Sequence, residues 1–296
     1  METLESVAII IPNYNGGQVL LDCISSILDS EYRNFAIIVV DDCSAHFSVS
    51  KMMQIDSRIV CIQNEKNAGF SASINKGIKY AIKNGFDYVM PLNNDTLIDR
   101  KMISTLIKVS EQKYVTVPSM YYAKRRDVIW YGGGKIDPRC GKVIHTGRNE
   151  KKARQDVVKE VTFATGCCIL IPTYMIKRIG MFDTSYYMYY EDVEFCARLT
   201  VNHYKILYVS EASLWHRVNF TTRKEGCNAL YYTKRNWLHF IRTSPFVTNK
   251  RNAYLYVLTD SVKELFSRDY QMKYKMTLIR AWIDFLRGKT GKTDGV

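Results

Sequence analysis

The sequence predicts an α/β protein: an open, mostly parallel sheet flanked by helices, with a helical extension at the C-terminal end. Three observations carry this. Continuously apolar runs of strand length alternate with segments of helical periodicity through the first hundred residues. Polar residues gather just after those runs. Beyond His216 the pattern turns helical, aromatic and basic.

Val7-Ala8-Ile9-Ile10-Ile11 is apolar throughout, as a strand buried on both faces must be. Val19, Leu20, Cys23, Ile24, Ile27 and Leu28 then recur at helical spacing. Phe35 to Val40 and Ile59 to Ile62 are the second and third strands. Ile74, Ile78, Ala81 and Ile82 share one face of a second helix, which Asn84-Gly85 stops. Asp87 to Leu92 is a fourth strand and runs into Asn93-Asn94-Asp95. Strands and helices alternating at this rhythm imply right-handed crossovers. Residues 119–160 carry Gly132-Gly133-Gly134, Gly141 and Gly147, and suggest a β-rich excursion of the same domain. Cys167 to Ile171 return to the core, residues 191–201 suit a helix, and Ile206 to Val209 suit a strand. The expected organisation is one domain over 1–216 and a basic, aromatic-rich helical extension over 217–296.

Composition narrows the classes. Hydrophobic residues make up 47% and charged residues 24%, which excludes wholesale disorder. The formal charge of +13 is uneven: residues 217–296 hold 16 Lys/Arg against 6 Asp/Glu, and residues 1–216 hold 26 against 23. Such a tail seeks polyanions, including acidic headgroups and phosphorylated substrates. None of the eight cysteines forms a C-x-x-C pair, so a zinc site is not suggested. No apolar stretch approaches the ~20 residues of a membrane span. Met1-Glu2-Thr3-Leu4-Glu5 is acidic and leads straight into a strand, unlike a secretory leader. These features point to a cytoplasmic chain in a reducing compartment.

Ligands of open α/β sheets bind at the carboxyl ends of the strands. Asn13 and Asn15, Asp41 and Asp42, and Asn93 to Asp95 converge on one such edge. Carboxylates at a strand end suit hard cations such as Mg²⁺ or Mn²⁺. Downstream, Glu191-Asp192 opens a helical segment. Acids there favour the helix dipole, so a capping role competes with a chemical one.

Five segments, in order, resemble glycosyltransferase family 2, in particular its rhamnosyltransferase-like branch. They are Ile10-Ile11-Pro12-Asn13-Tyr14-Asn15, Val39-Val40-Asp41-Asp42-Cys43-Ser44, Asn67-Ala68-Gly69-Phe70-Ser71, Leu92-Asn93-Asn94-Asp95-Thr96 and Tyr190-Glu191-Asp192-Val193-Glu194. The resemblance covers roughly residues 5–240. It implies the GT-A fold, a Rossmann-like mostly parallel sheet, and inverting transfer of a sugar from a nucleotide diphosphate to a hydroxyl. It assigns the donor nucleotide to Pro12, Tyr14, Asn15, Asp41, Asn67, Gly69, Phe70, Asn93 and Asn94, with Asp41 reading the base. A divalent cation, Mg²⁺ or Mn²⁺, falls to Asp95 and His216. Asn93 departs from the family's D-x-D form, so Asp95 carries the carboxylate. Asp192 becomes the catalytic base and Glu191 supports the acceptor site. Gly166, Trp130 and Arg235 fall on the acceptor side, with Arg235 in a Tyr-Tyr-x-x-Arg-Asn motif. The implied acceptor is a glycan or a lipid-linked sugar, in bacterial cell-surface polysaccharide synthesis.

Met272, Met276, Ile279, Ile283 and Leu286 share a helical face, with Trp282 and several Lys/Arg nearby. This suits peripheral attachment to an anionic membrane at the inner face of the plasma membrane. Packing on the domain or a homodimer contact would explain the same pattern. Two rival functions remain open. A sugar-phosphate nucleotidyltransferase would carry a basic phosphate loop, but Asn13-Tyr14-Asn15-Gly16-Gly17 has no Lys or Arg. A non-catalytic nucleotide- or polyanion-binding module is the other; no nucleic-acid motif is present, and a nucleic-acid partner is not expected.

Overall fold

The computed structural model describes residues 4–46, 48–151, 157–218 and 226–293. The chain opens with β1 (Val7–Asn13), α1 (Gln18–Leu28), β2 (Phe35–Asp41), α2 (Val49–Met53), β3 (Ile59–Gln63), α3 (Phe70–Lys83) and β4 (Tyr88–Pro91). The four strands pair in parallel in the order β4-β1-β2-β3. Residues 7–11 and 37–40 are wholly buried, as their unbroken apolar runs require. The register sets Asn13 opposite Asp41, and Asp41 opposite Gln63, so the polar residues end level at one edge.

α3 begins at Phe70, earlier than apolar spacing indicates. Its first turns bury Ser71 and Asn75 instead. Ser71 Oγ donates to the Tyr186 carbonyl at 2.7 Å, and Asn75 exchanges bonds with the backbone of Phe182 at 2.7 and 3.0 Å. These partners lie in a distant loop, so the helix start has no hydrophobic signature.

The chain continues with β5 (Thr96–Ile98), α4 (Met102–Ser110), β6 (Val115–Tyr122), β7 (Arg125–Tyr131), β8 (Gly134–Ile136), β9 (Val143–His145), β10 (Val158–Val161), β11 (Ile171–Pro172), α5 (Thr173–Ile179), α6 (Glu191–Val201) and β12 (Ile206–His216). β11 adds to the first sheet antiparallel to β4. A second, mixed sheet runs β10-β12-β6-β7, with β5 also on β12. The expected β-rich excursion is therefore ordered hairpins, β6 with β7 and β8 with β9. β12 outruns the expected Ile206–Val209 segment, continuing to His216 past a register shift between Val209 and Ser213. Ser210, Glu211 and Ser213 break the apolar run that would have marked it.

α7 (Gly226–Thr243), α8 (Lys250–Phe266) and α9 (Met272–Leu286) close the described chain. Trp237, Leu238, Phe240, Ile241, Val257 and Phe285 join the same apolar core as the sheets. Trp237 Nε1 donates to the Cys140 carbonyl at 2.7 Å, tying α7 to the β-rich excursion. α9 packs through Leu278, Ala281, Asp284 and Phe285, while Met272, Met276, Ile279, Ile283 and Leu286 are exposed. Trp282 is not on that outer stripe: its indole N–H donates to Ser261 Oγ of α8 at 3.0 Å. Among the described residues no helix is long and apolar enough to cross a membrane.

Candidate active site

The carboxyl edge of the first sheet carries a hydrogen-bonded polar floor. Asn94 Nδ2 donates to Asn13 Oδ1 at 3.0 Å, and Asn13 Nδ2 donates to Asp41 Oδ1 at 2.9 Å. Asp41 is fully buried, and Ser44 donates to it from both Oγ (2.6 Å) and backbone N–H (3.0 Å). Both Asp41 oxygens thus already accept hydrogen bonds, and they order Asn13 and Ser44. Tyr14 and Asn15 are exposed beside them, Asn15 held by Ser44 and by the Ala45 N–H.

Asp42, to which the sequence assigned no role, builds the next wall. Its carboxylate accepts from Asn64 Nδ2 (2.7 Å) and from the N–H groups of Ala68 (2.8 Å) and Gly69 (2.9 Å). It thereby fixes the Asn67–Gly69 loop. Gly69 has φ +89°, and a Cβ there would overlap the ring and carbonyl of Tyr187. Its amide goes to Asp42 and the space beside it to Tyr187, whose hydroxyl donates to Asn67 Oδ1. Phe70 N–H donates to the Tyr187 carbonyl at 3.0 Å.

β5 and β12 bring Asp95 and His216 together. Thr96 pairs with His216 across the strands, and Arg217 N–H donates to the Asp95 carbonyl at 2.9 Å. His216 Nε2 then lies 3.0 Å from Asp95 Oδ1, both side chains largely buried. Trp130 sits edge-on to His216, ring centroids 4.5 Å apart. The structure therefore places Trp130 with the Asp95–His216 pair. His216 Nδ1 is buried without a hydrogen-bond partner. Among the described residues no cluster of three or more His, Cys, Asp or Glu forms a closed metal cage.

The third wall is the start of α6. Asp192 is partly exposed, and its carboxylate accepts the N–H groups of Gly166 and Val193, each at 2.9 Å. Gly166 also faces the edge of the Phe70 ring, so the start of α3 and α6 meet across it. The adjacent Cys167 carbonyl accepts the Asn93 N–H at 2.8 Å. One turn thus holds Asn93 and Asp192 on its two sides. Glu191 is buried, and its Oε2 has no partner. Burial first, then the charge of Asp192, raises the Glu191 carboxyl well above its ordinary pKa. Burial raises Asp192 too, but the Gly166 and Val193 N–H groups oppose it. Burial thus raises both carboxyls, and only Asp192 has backbone N–H donors from a neighbouring segment working against it.

Arg235, expected on the acceptor side, is enclosed by groups of the chain itself. It is 1% exposed and donates to Asn236 Oδ1 (2.9 and 3.1 Å), Thr293 Oγ1 (2.9 Å) and the Gly291 carbonyl (2.8 Å). The motif's consequential residue is Asn236. Its amide donates to the carbonyls of Met188 and Tyr189 at 2.9 and 2.8 Å. Tyr189 and Tyr190 both have positive φ, 65° and 72°, directly before Glu191. Asn236 braces that strained approach. The motif was visible in the sequence, but the division of labour within it was not.

Residues 8–180, more than half of the chain, match the family model described as glycosyl transferase family 2. An uncharacterised glycosyltransferase of Rickettsia typhi is 27% identical over 185 residues, which is 60% of this chain and 54% of that one. The chain thus spans about half the length of that relative. Among solved structures, GalNAc-T7 with UDP, GalNAc and Mn²⁺ superposes with TM-score 0.68 at 14% identity, covering 97% of this chain and 57% of the other. The mannosyltransferase PcManGT from Pyrobaculum calidifontis, in complex with GDP-Man and Mn²⁺, gives 0.63 at 12%, covering 97% and 89%. These likenesses establish a GT-A-like fold, and the chain belongs to glycosyl transferase family 2.

Proposed function

We propose that this family 2 protein transfers a sugar from a nucleotide diphosphate donor to a hydroxyl acceptor, with inversion, and that Asp192 is the base. The observation that carries the reading is Asp192 itself. It is partly open, oriented by the Gly166 N–H, and adjacent to a buried carboxyl whose pKa burial raises. Its raised pKa brings it nearer the working range of a general base. The acceptor hydroxyl gives its proton to Asp192 while its oxygen attacks the anomeric carbon from the face opposite the leaving diphosphate.

The nucleoside lies over Tyr14 and Asn15 and against the Asn67–Phe70 loop, on the floor that Asp41 and Asp42 order. Asp95 and His216 fit a divalent cation: one carboxylate oxygen and one imidazole nitrogen already converge at 3.0 Å, and the pair leaves further positions for phosphate oxygens. When bound, the cation neutralises charge on the leaving diphosphate. Mn²⁺ in two structural neighbours supports this. The donor class we favour is UDP- or dTDP-sugar, rhamnose by the branch resemblance, and the acceptor a glycan or lipid-linked sugar of the bacterial surface. The exposed stripe on α9, with Leu255, Leu258, Val262 and Phe266 exposed on α8, suits the inner face of an anionic membrane. Flotation on anionic vesicles that salt weakens supports that placement; no flotation, with a dimer in solution, assigns the stripe to a second copy.

The test is a panel of UDP-, dTDP- and GDP-sugars with Mn²⁺, Mg²⁺ or EDTA, scored for nucleoside diphosphate release. One nucleotide class should turn over with metal, and Asp192→Asn should lower kcat by about 10²–10⁴-fold. Unchanged turnover in Asp192→Asn removes the base assignment. Failure to bind any nucleotide removes the donor site.

A further inference from the structure

The Tyr-Tyr-x-x-Arg-Asn motif has an unusual client, the chain's own segment 288–293. After α9 the backbone takes positive φ at Gly288 (74°) and Gly291 (68°) and turns back across the domain. Gly291 N–H donates to the Ser185 carbonyl at 2.6 Å, and Arg235 closes on the Gly291 carbonyl. Thr293 is gripped from several directions: its N–H donates to Tyr232 Oη (2.9 Å), and its Oγ1 accepts from Tyr231 (3.1 Å) and Arg235 (2.9 Å). A buried guanidinium is tolerated only when its donors are met, and this strap meets part of them.

Between these two anchors stands Lys292. Its side chain is exposed, and its ammonium lies over the Tyr187 ring, 5.8 Å from the centroid. Nζ reaches the Asn67 carbonyl at 3.4 Å, a long bond to a neutral acceptor. Among the described residues no carboxylate pairs with it. The side chains of the candidate site are acidic or neutral: Asp41, Asp42, Asp95, Glu191 and Asp192 with a set of asparagines. Arg217, beside Asp95, is already paired to Asp22 at 2.8 Å. A donor bearing a diphosphate brings further negative charge into this ring of acids, and needs cations there.

We propose that Lys292 is a donor-binding residue. Its ammonium leaves the Asn67 carbonyl to pair with a phosphate of the nucleotide, and the Tyr231–Tyr232–Arg235 cradle serves to hold it at the donor loop. The inference rests on the donor reading above. A charge-assisted contact to phosphate replaces a neutral one, which favours the exchange. Arg235 then influences the donor without touching it.

The experiment is calorimetric titration of UDP, dTDP and GDP with MnCl₂ into the full chain and its variants, with thermal unfolding as the folding control. Lys292→Ala should weaken the nucleotide that binds by about tenfold, and Lys292→Arg by less than about threefold. Thr293→Val, which frees the strap and keeps the charge, should fall between them. Donor KM should follow affinity, with kcat changed less than about threefold. Lys292→Ala binding within about twofold of the parent overturns the inference, as does equal loss in the Ala and Arg variants at unchanged unfolding temperature. A parent protein that binds none of the three nucleotides overturns the donor reading and this inference with it.

Discussion

Asn236→Ala isolates the brace behind α6, the helix that carries the proposed base. The side chain donates two hydrogen bonds to the carbonyls of Met188 and Tyr189 and accepts two from Arg235. Two neutral bonds contribute about 1 kcal/mol each, and the acceptor of a buried guanidinium about 1.5–3 kcal/mol. The substitution should therefore cost about 3.5–5 kcal/mol, or roughly 6–8 °C in unfolding temperature for a chain of this size. Urea titration measures the first quantity. The second readout is kinetic. Tyr189 and Tyr190 hold left-handed backbone just ahead of Glu191 and Asp192. Without the brace they relax, and kcat should fall by about tenfold or more, because a displaced base loses its alignment. Asn236→Asp separates the two roles: it keeps an acceptor for Arg235 and loses the donor to the carbonyls. It should recover part of the stability and none of the kcat. A loss under about 1 kcal/mol in Asn236→Ala, with kcat intact, would refute the reasoning.

Gly69→Ala meets both a positive φ and the Tyr187 ring. It should weaken nucleotide binding by about tenfold and cost about 1–3 kcal/mol, checked by calorimetry and chemical denaturation. His216→Ala should raise the nucleotide Kd about tenfold in Mn²⁺ and leave it unchanged in EDTA, since only the cation's support is removed. For Glu191 the pH dependence has a definite sign. Burial and Asp192 raise its folded pKa above the ordinary value of 4.5, so the folded state holds the proton longer. Its contribution to stability is full below the ordinary pKa and is lost as pH rises through the raised one. Glu191→Gln does not titrate, so its unfolding temperature relative to the parent should be higher at pH 8 than at pH 5. Parallel pH profiles would show that Glu191 ionises normally in the fold.

Much of the sheet was legible because its rule is local. Residues 7–11 and 35–40 must be apolar to be buried on both faces, and they form β1 and β2 within a residue or two of the reading. The α6 helix coincides with the segment read over 191–201. Residues whose burial is polar were not legible. Ser71 and Asn75 start α3 because Tyr186 and Phe182 receive them, and nothing near them in the sequence says so. β12 continues through Ser210 to His216 because β6 and β5 supply its hydrogen bonds.

The candidate site divides the same way. The family resemblance of the motifs named Asp95, His216 and Asp192 as the residues with the right chemistry. Only the tertiary structure set Asp95 against His216, gave Asp192 the Gly166 N–H, and left Glu191 Oε2 without a partner. It also engaged Arg235 and Asp41 with groups of the chain itself and brought Lys292 to the Asn67 carbonyl. A residue's type is written in the sequence, but its function depends on which hydrogen bonds are already taken. That is decided by partners distant in the chain, once the sheets close and water is excluded.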